Sequence, residues 1–292
     1  MILSVGEILL DVYAKENSSS MDMKGRIGGA PFNVAANIAN NGGDVCFYGA
    51  VGKDGFGSFL EKEARAYPFH KLLIDETEYP TSLALVSLNN GERSFSFLRG
   101  ADFHLSSKRL DDFALKAGDI LHVGSLMFNE EEGGMFFLKT SAFARKKSVY
   151  LSLDMNIRPT LFENQKEARY VYEEVCLCVD FLKASEEDLD FLGMSPEELK
   201  NRYMKEKSIL FVSRSSNGSD VYIGNEHYSV PSKKIDVVDS TGAGDAFFAR
   251  ILMELDQCLD PFSLSAQKWK EILMKANEDG AEACLHEGAL KQ

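Results

Sequence analysis

Short apolar runs rich in Val, Ile, Leu and Phe alternate along this 292-residue chain with longer segments whose apolar residues recur at helical spacing. The runs at 2–5, 45–51, 83–88, 94–98, 120–123, 149–154, 181–184, 209–213 and 221–223 predict strands. The segments 31–40, 58–66, 133–146, 167–176, 195–205, 246–255 and 266–284 predict helices. Helices between successive strands act as crossover connections, so the pattern predicts a mostly parallel sheet covered on both faces, the α/β class. Residues 1–292 show no repeat period and no low-complexity linker, and are read as one domain.

Two regions break the alternation. The stretch 16–26 is polar, and Asn89-Asn90-Gly91-Glu92 is a turn signal between two period-2 runs, which predicts a hairpin. A hairpin does not fit the crossover pattern of a parallel sheet, so it is expected outside as a flap or lid over a small ligand.

Composition narrows the functions. The chain has 32 Lys and Arg against 45 Asp and Glu, a net charge of −13. That repels nucleic acid and anionic membrane surfaces, so neither is expected as a partner, and any phosphate site must be local. Five cysteines, an odd set without a Cys-x-x-Cys pair, predict neither a disulfide framework nor a zinc ribbon, and a reduced, cytoplasmic setting follows. The start of the chain lacks a basic region and meets Glu7 and Asp11 early, which does not suit a signal peptide. No apolar run approaches the roughly 20 residues of a membrane span. The five histidines show no ligand spacing.

The segment Val237-Val238-Asp239-Ser240-Thr241-Gly242-Ala243-Gly244-Asp245-Ala246-Phe247 carries the most chemistry, because a Gly-rich turn opens directly into a helix. Small residues let the backbone approach a phosphate, the amides of Gly242, Ala243 and Gly244 point outward, and the helix dipole adds partial positive charge. Asp245 beside that anion pocket suits a base taking a hydroxyl proton; equally, an isolated Gly-x-Gly-Asp is a helix start whose carboxylate complements the dipole. There is no Gly-x-x-x-x-Gly-Lys-Ser/Thr, and residues 52–57 lack the Gly-x-Gly-x-x-Gly order of a dinucleotide fingerprint.

Together with Gly28-Gly29-Ala30-Pro31-Phe32-Asn33-Val34-Ala35 and Val51-Gly52-Lys53-Asp54-Gly55-Phe56-Gly57, this segment resembles the signatures of the ribokinase-like (PfkB) carbohydrate kinases, and Gly28 to Asn33, Asp154-Met155-Asn156-Ile157-Arg158-Pro159-Thr160-Leu161-Phe162 and Lys183-Ala184-Ser185-Glu186-Glu187 are most similar to bacterial fructokinases. The resemblance implies a three-layer sandwich with a mostly parallel central sheet and a small β lid at about 12–27 and 80–101. It implies that Asp245 is the general base and that Gly242, Ala243 and Gly244 stabilise the transferring phosphoryl group. It places Asp11, read as the end of the first strand, with Gly28, Gly29, Asn33, Phe97, Arg99 and Arg158, at the sugar. Ser213, Ser215, Gly218 and Asn277, with Gly242 and Gly244, would face ATP, although Ser215 stands where the family has Gly. The family's Asn-x-x-Glu for Mg²⁺ appears as Ser185-Glu186-Glu187-Asp188, leaving open whether Glu187 or Asp188 organises that ion through water. Oxygens of Asp239 and Thr241 offer an optional K⁺ site, and two copies would pair as a homodimer through the lid.

The resulting expectation is an ATP-dependent sugar kinase acting on a primary hydroxyl, with fructose the leading substrate. Alternatives are a kinase for ribose or for 2-keto-3-deoxygluconate, the latter because Arg99 can pair with a carboxylate, or a weakened sugar or nucleotide sensor, suggested by Ser185 and Ser215.

Overall fold

A computed structural model describes residues 1–16, 20–89 and 92–290. The chain runs β1 (Ile2–Val5), β2 (Leu9–Glu16), β3 (Met21–Gly28), α1 (Ala30–Asn40), β4 (Val45–Gly52), α2 (Gly55–Ala64), β5 (Lys71–Thr77), β6 (Leu83–Asn89), β7 (Glu92–Leu98) and β8 (Ile120–Val123). It continues α3 (Glu131–Lys147), β9 (Tyr150–Asp154), α4 (Gln165–Cys176), β10 (Phe181–Ser185), α5 (Glu186–Leu192), α6 (Pro196–Tyr203), β11 (Ile209–Ser213), β12 (Ser219–Ile223), β13 (Glu226–Val230), α7 (Ala243–Asp256) and α8 (Ala266–Ala283).

Nine strands form one sheet in the order β13-β12-β11-β10-β9-β8-β1-β4-β5. Pairing is parallel from β5 to β11, and β12 and β13 add an antiparallel edge. Alternate residues of these strands enter opposite cores, as a two-residue period requires. Ile2, Phe47 and Phe181 pack with Phe32 and Val34 of α1, Phe248 of α7 and Trp269 of α8. Leu3, Tyr48 and Leu182 pack with Phe137 of α3, Tyr172 of α4, Leu189 of α5 and Leu199 of α6. Three layers result, as expected.

The lid is larger than a hairpin. β6 and β7 join β2 and β3 in a second, four-stranded sheet ordered β3-β2-β6-β7, in which β2 and β6 run parallel. The turn at Asn90 and Gly91 and part of the polar stretch 16–26 lie outside the described residues. Strands β2, β3, β5 and β13 and the short helix α5 are additions to the pattern read from sequence. β3 and β13 carry mostly exposed or half-buried residues and β5 is an edge strand, so none shows a clean apolar run. Asp11 is corrected accordingly: it lies inside the lid strand β2, opposite Arg26 and Ala84, and not at the end of β1. Among the described residues no strand follows α8.

Polar clamps hold the base of the lid. Asp54, which caps α2 through Gly57 N at 2.8 Å, also accepts from the amide and hydroxyl of Thr81, each at 2.8 Å. On the other side of the hairpin, buried Asp102 takes the Ser82 hydroxyl and the Arg99 guanidinium.

Phe32, fully buried at the start of α1, meets Phe47, Tyr67 and Phe69 edge-on at centroid distances of 5.2, 5.5 and 5.9 Å. Phe32→Ala is expected to lower the unfolding free energy by about 3–5 kcal/mol in denaturant titration, whereas a loss below about 1 kcal/mol would mean that this aromatic cluster does not close the core.

Candidate active site

The C-terminal ends of the parallel strands meet the N-termini of α1 and α7 in a cavity of about 360 Å³, roofed by the lid. Asp11, Gly29, Asn33, Phe97, Arg158, Thr241, Gly242, Gly244 and Asp245 all line it, so most of the sugar and phosphoryl candidates come together. A larger groove of about 1230 Å³ lies beside β5 and α3, but none of its lining carboxylates is buried and it contains none of these residues.

Each element places its side chain for a local reason. Gly242 caps α7 at φ 78°, a left-handed backbone that favours glycine, and a Cβ there would lie 2.6 Å from Ala289. Asp245 is thereby the third residue of α7, where the amides of the first turn have no carbonyl four residues back to bond. Of the three expected amides, that of Ala243 bonds the Ser240 carbonyl at 3.3 Å. Gly29, at φ 112°, turns the chain into α1, and a Cβ would meet the Glu7 carbonyl at 2.3 Å. Gly28 makes room for the Asp11 carboxylate, which a Cβ would approach to 2.2 Å.

The electrostatics suit a proton acceptor. Asn33 Nδ2 donates to Asp245 Oδ2 at 2.9 Å. Burial pushes the Asp245 carboxyl up to about 6, with the Asn33 bond opposing, Asp154 adding to the rise, and Lys183 and Arg158 lowering it. Asp11 is pushed up to about 7 by burial and by Asp245. Glu7 reaches about 8, mainly through burial, and its Oε1 accepts from Ala30 N at 3.3 Å.

Among the cavity residues to which the sequence reading assigned no role are Glu7, Asp154, Asn156 and Lys183. Lys183 and Asp154 sit opposite each other in the β9–β10 register and form a buried ion pair at 2.8 Å, with Lys183 Nζ 3.3 Å from where a Cβ on Gly244 would be. A charged residue closing one apolar run and another inside the next was the available signal. Asn156 adopts φ 38°, an uncommon left-handed conformation that turns the chain at the end of β9.

Arg99 is corrected. It does not line the cavity but bonds Asp102, the Leu126 carbonyl at 2.9 Å and Asn129 Oδ1 at 2.7 Å, so its donors serve the lid base. Of the metal candidates, Asp188 is buried and its carboxylate accepts from the amide and hydroxyl of Ser185 and from Ile157 N; Glu187 is exposed. Asp239 accepts from Thr241 N at 2.8 Å and Gly288 N at 2.9 Å.

Of the nucleotide candidates, Gly242 and Gly244 line the cavity, whereas the other four lie off it, around the end of β13. Ser213 ends β11, Gly218 packs its Cα against the Val230 carbonyl, and Asn277 Nδ2 donates to that carbonyl at 3.1 Å. Ser215 adopts φ 45°, so the serine holds the left-handed conformation that a glycine takes without strain.

Comparison with known proteins agrees with this fold. The description "pfkB family carbohydrate kinase" matches residues 1–291. Fructokinase-1 of Oryza sativa subsp. japonica is 31% identical over 303 residues, spanning 99% of this chain and 93% of that protein. The fructokinase of Vibrio alginolyticus is 30% identical over 98% of this chain and 93% of its own length. Among solved structures, fructokinase with bound ATP from Xylella fastidiosa superposes with a TM-score of 0.85 at 28% identity, covering 99% of this chain and 93% of that one. A double mutant of the Vibrio cholerae O395 fructokinase, in its fructose, ADP and potassium ion bound form, superposes with a TM-score of 0.85 at 27% identity over the same shares. The match across nearly the whole chain and the identity to these relatives show that the protein belongs to the pfkB family of carbohydrate kinases.

Proposed function

We propose that this chain transfers the γ-phosphoryl group of ATP to the primary hydroxyl of fructose, giving fructose 6-phosphate and ADP. The observation that carries the reading is Asp245 at the first turn of α7, held by Asn33 and sharing one sugar-sized cavity with Asp11. Fructokinases at about 30% identity over the whole chain support the substrate.

In this reading Asp245 accepts the hydroxyl proton as the sugar oxygen forms a bond to the γ-phosphorus and the bond to the β–γ bridging oxygen breaks, with ADP leaving. The first-turn amides of α7 and the Lys183 ammonium meet the negative charge on the phosphoryl oxygens. Asp154 holds Lys183 in place, and Asp11 and Asn33 orient the sugar hydroxyls from opposite walls. The lid excludes water, which otherwise competes as acceptor.

Mg²⁺ would enter with the ATP phosphates and spread their charge. Because every Asp188 bond serves the backbone and Ser185, exposed Glu187 is the residue that would hold the ion's water shell, with Asp188 shaping the loop. The carbonyl oxygens of Asp239 and Thr241 would take a K⁺ ion. Exposed Met21 and Met23 on β3 support pairing of two copies through the lid. Five free thiols support a reducing, cytoplasmic setting, and among the described residues no helix is long and apolar enough to cross a membrane.

Two of the motives for rival readings weaken. Arg99, which would have recognised a sugar acid, is committed to Asp102, and Ser185 replaces an asparagine as the cap of α5 in a reciprocal bond pair with Asp188. An ADP-release assay across fructose, ribose and 2-keto-3-deoxygluconate should show fructose as the best acceptor; a better rate with either rival sets the substrate aside.

Asp245→Asn keeps shape and helix-start bonding but removes the acceptor, so kcat should fall by about 10²–10⁴ with sugar and nucleotide affinities kept. A folded variant within about fivefold of the parent refutes the role of Asp245 as base. Asp11→Ala should weaken fructose binding in calorimetry far more than ADP binding, since Asp11 lies on the lid side of the cavity; equal losses would count against it.

A further inference from the structure

The cavity is joined to the lid by a second route, away from the sugar. After α8, residues 284–290 fold back over the turn that opens α7. The amides of Val238 and Asp239 both reach the Cys284 carbonyl, at 2.9 and 3.2 Å, Gly288 N donates to Asp239 Oδ2, and Ala289 packs on Gly242. The other oxygen of Asp239 holds Thr241 N, so the shape of the phosphoryl turn depends on where this tail lies.

One side chain connects the tail to the lid. Arg26, on lid strand β3, sends Nη1 to the Glu287 carbonyl at 2.6 Å, with the Glu287 carboxylate at 3.4 Å from Nη2 and the Tyr13 ring 5.6 Å beneath. Gly288, at φ 87°, leaves the space the guanidinium occupies: a Cβ there would lie 2.3 Å from Nη1. Arg26 Nε is buried with no hydrogen-bond partner among the described residues, a cost borne by a side chain held in this pose.

We propose that Arg26 is a positioning residue for phosphoryl transfer, pinning the 284–290 tail so that Asp239 and Gly242 hold the α7 turn in its anion-binding shape. The path is short and covalently tight: Arg26 to Glu287, Gly288 to Asp239, then Thr241 and Gly242. It acts on the phosphate side, although Arg26 sits opposite Asp11 in the strand register, because burial and Asp245, not Arg26, set the Asp11 charge. The inference rests on the proposed assignment of the α7 turn to the transferred phosphoryl group.

The test is Arg26→Ala in the full chain, with steady-state kinetics in ATP and calorimetry with fructose alone. Misplacing the turn should lower kcat by about 10- to 100-fold and raise KM for ATP, with fructose affinity within about twofold and the melting temperature kept. Glu287→Ala should behave as the parent, because the backbone carbonyl makes the short bond. Parent-like kinetics in Arg26→Ala, or a loss expressed in fructose affinity, overturns the proposal. If the alanine variant does not fold, Arg26→Gln carries the same test with the same criteria. A failure of the α7 assignment would show separately, as retained turnover in Asp245→Asn.

Discussion

The hydrogen bond from Asn33 to Asp245 ties together the two helix starts on which the site is built. α1 begins where the Gly28-Gly29 turn leaves the lid, and α7 begins at the Gly242 turn, against which the 284–290 tail packs. The two helices pack side by side on one face of the sheet, in the same core as Phe32 and Phe248. The bond fixes the carboxylate's direction and favours its charged form, against a burial that favours the neutral one. Loss of either helix start would therefore misplace Asp245, and the proposed sugar pocket and phosphoryl turn depend on the same contact.

Charge is the second constraint. A chain of net charge −13 has to accommodate a polyphosphate at a cavity that also gathers Glu7, Asp11, Asp154 and Asp245. Two features offset this. Burial and mutual repulsion raise several of these carboxyls, Glu7 to about 8 and Asp11 to about 7, which lowers the negative charge present near neutral pH. The α7 dipole and the Lys183 ammonium supply positive potential at the point where the phosphoryl group is expected. Asp154 keeps that ammonium charged in a buried setting, since its own charge lies within 2.8 Å.

Most of the large sheet was readable because its inner strands are buried on both faces and so appear as unbroken apolar runs such as Ile209 to Val212. The lid strands β2 and β3 were not, because a small sheet with one wet face carries residues such as Asp22, Lys24 and Arg26 among its few apolar ones. Asp245 and its glycines were legible because the chemistry is local to one turn. Lys183 and Asp154 stand 29 residues apart and meet only through the parallel register of β9 and β10, which no local pattern encodes. Arg99 misled for a related reason: an arginine's task is set by its partner, and Asp102, three residues on, claims it.

Proton transfer to Asp245 requires a carboxylate that is buried enough to be basic and bonded firmly enough to stay ionised at neutral pH. Carbon-13 NMR of the aspartate carboxyls, with the Asp245 signal assigned by its absence in Asp245→Asn, reads this directly. A carboxyl titrating near about 6 in the parent is expected, moving higher in Asn33→Ala, where the bond that favours the charged form is gone. An Asp245 signal titrating close to the ordinary aspartate value of 3.8 and unmoved by loss of Asn33 would contradict it.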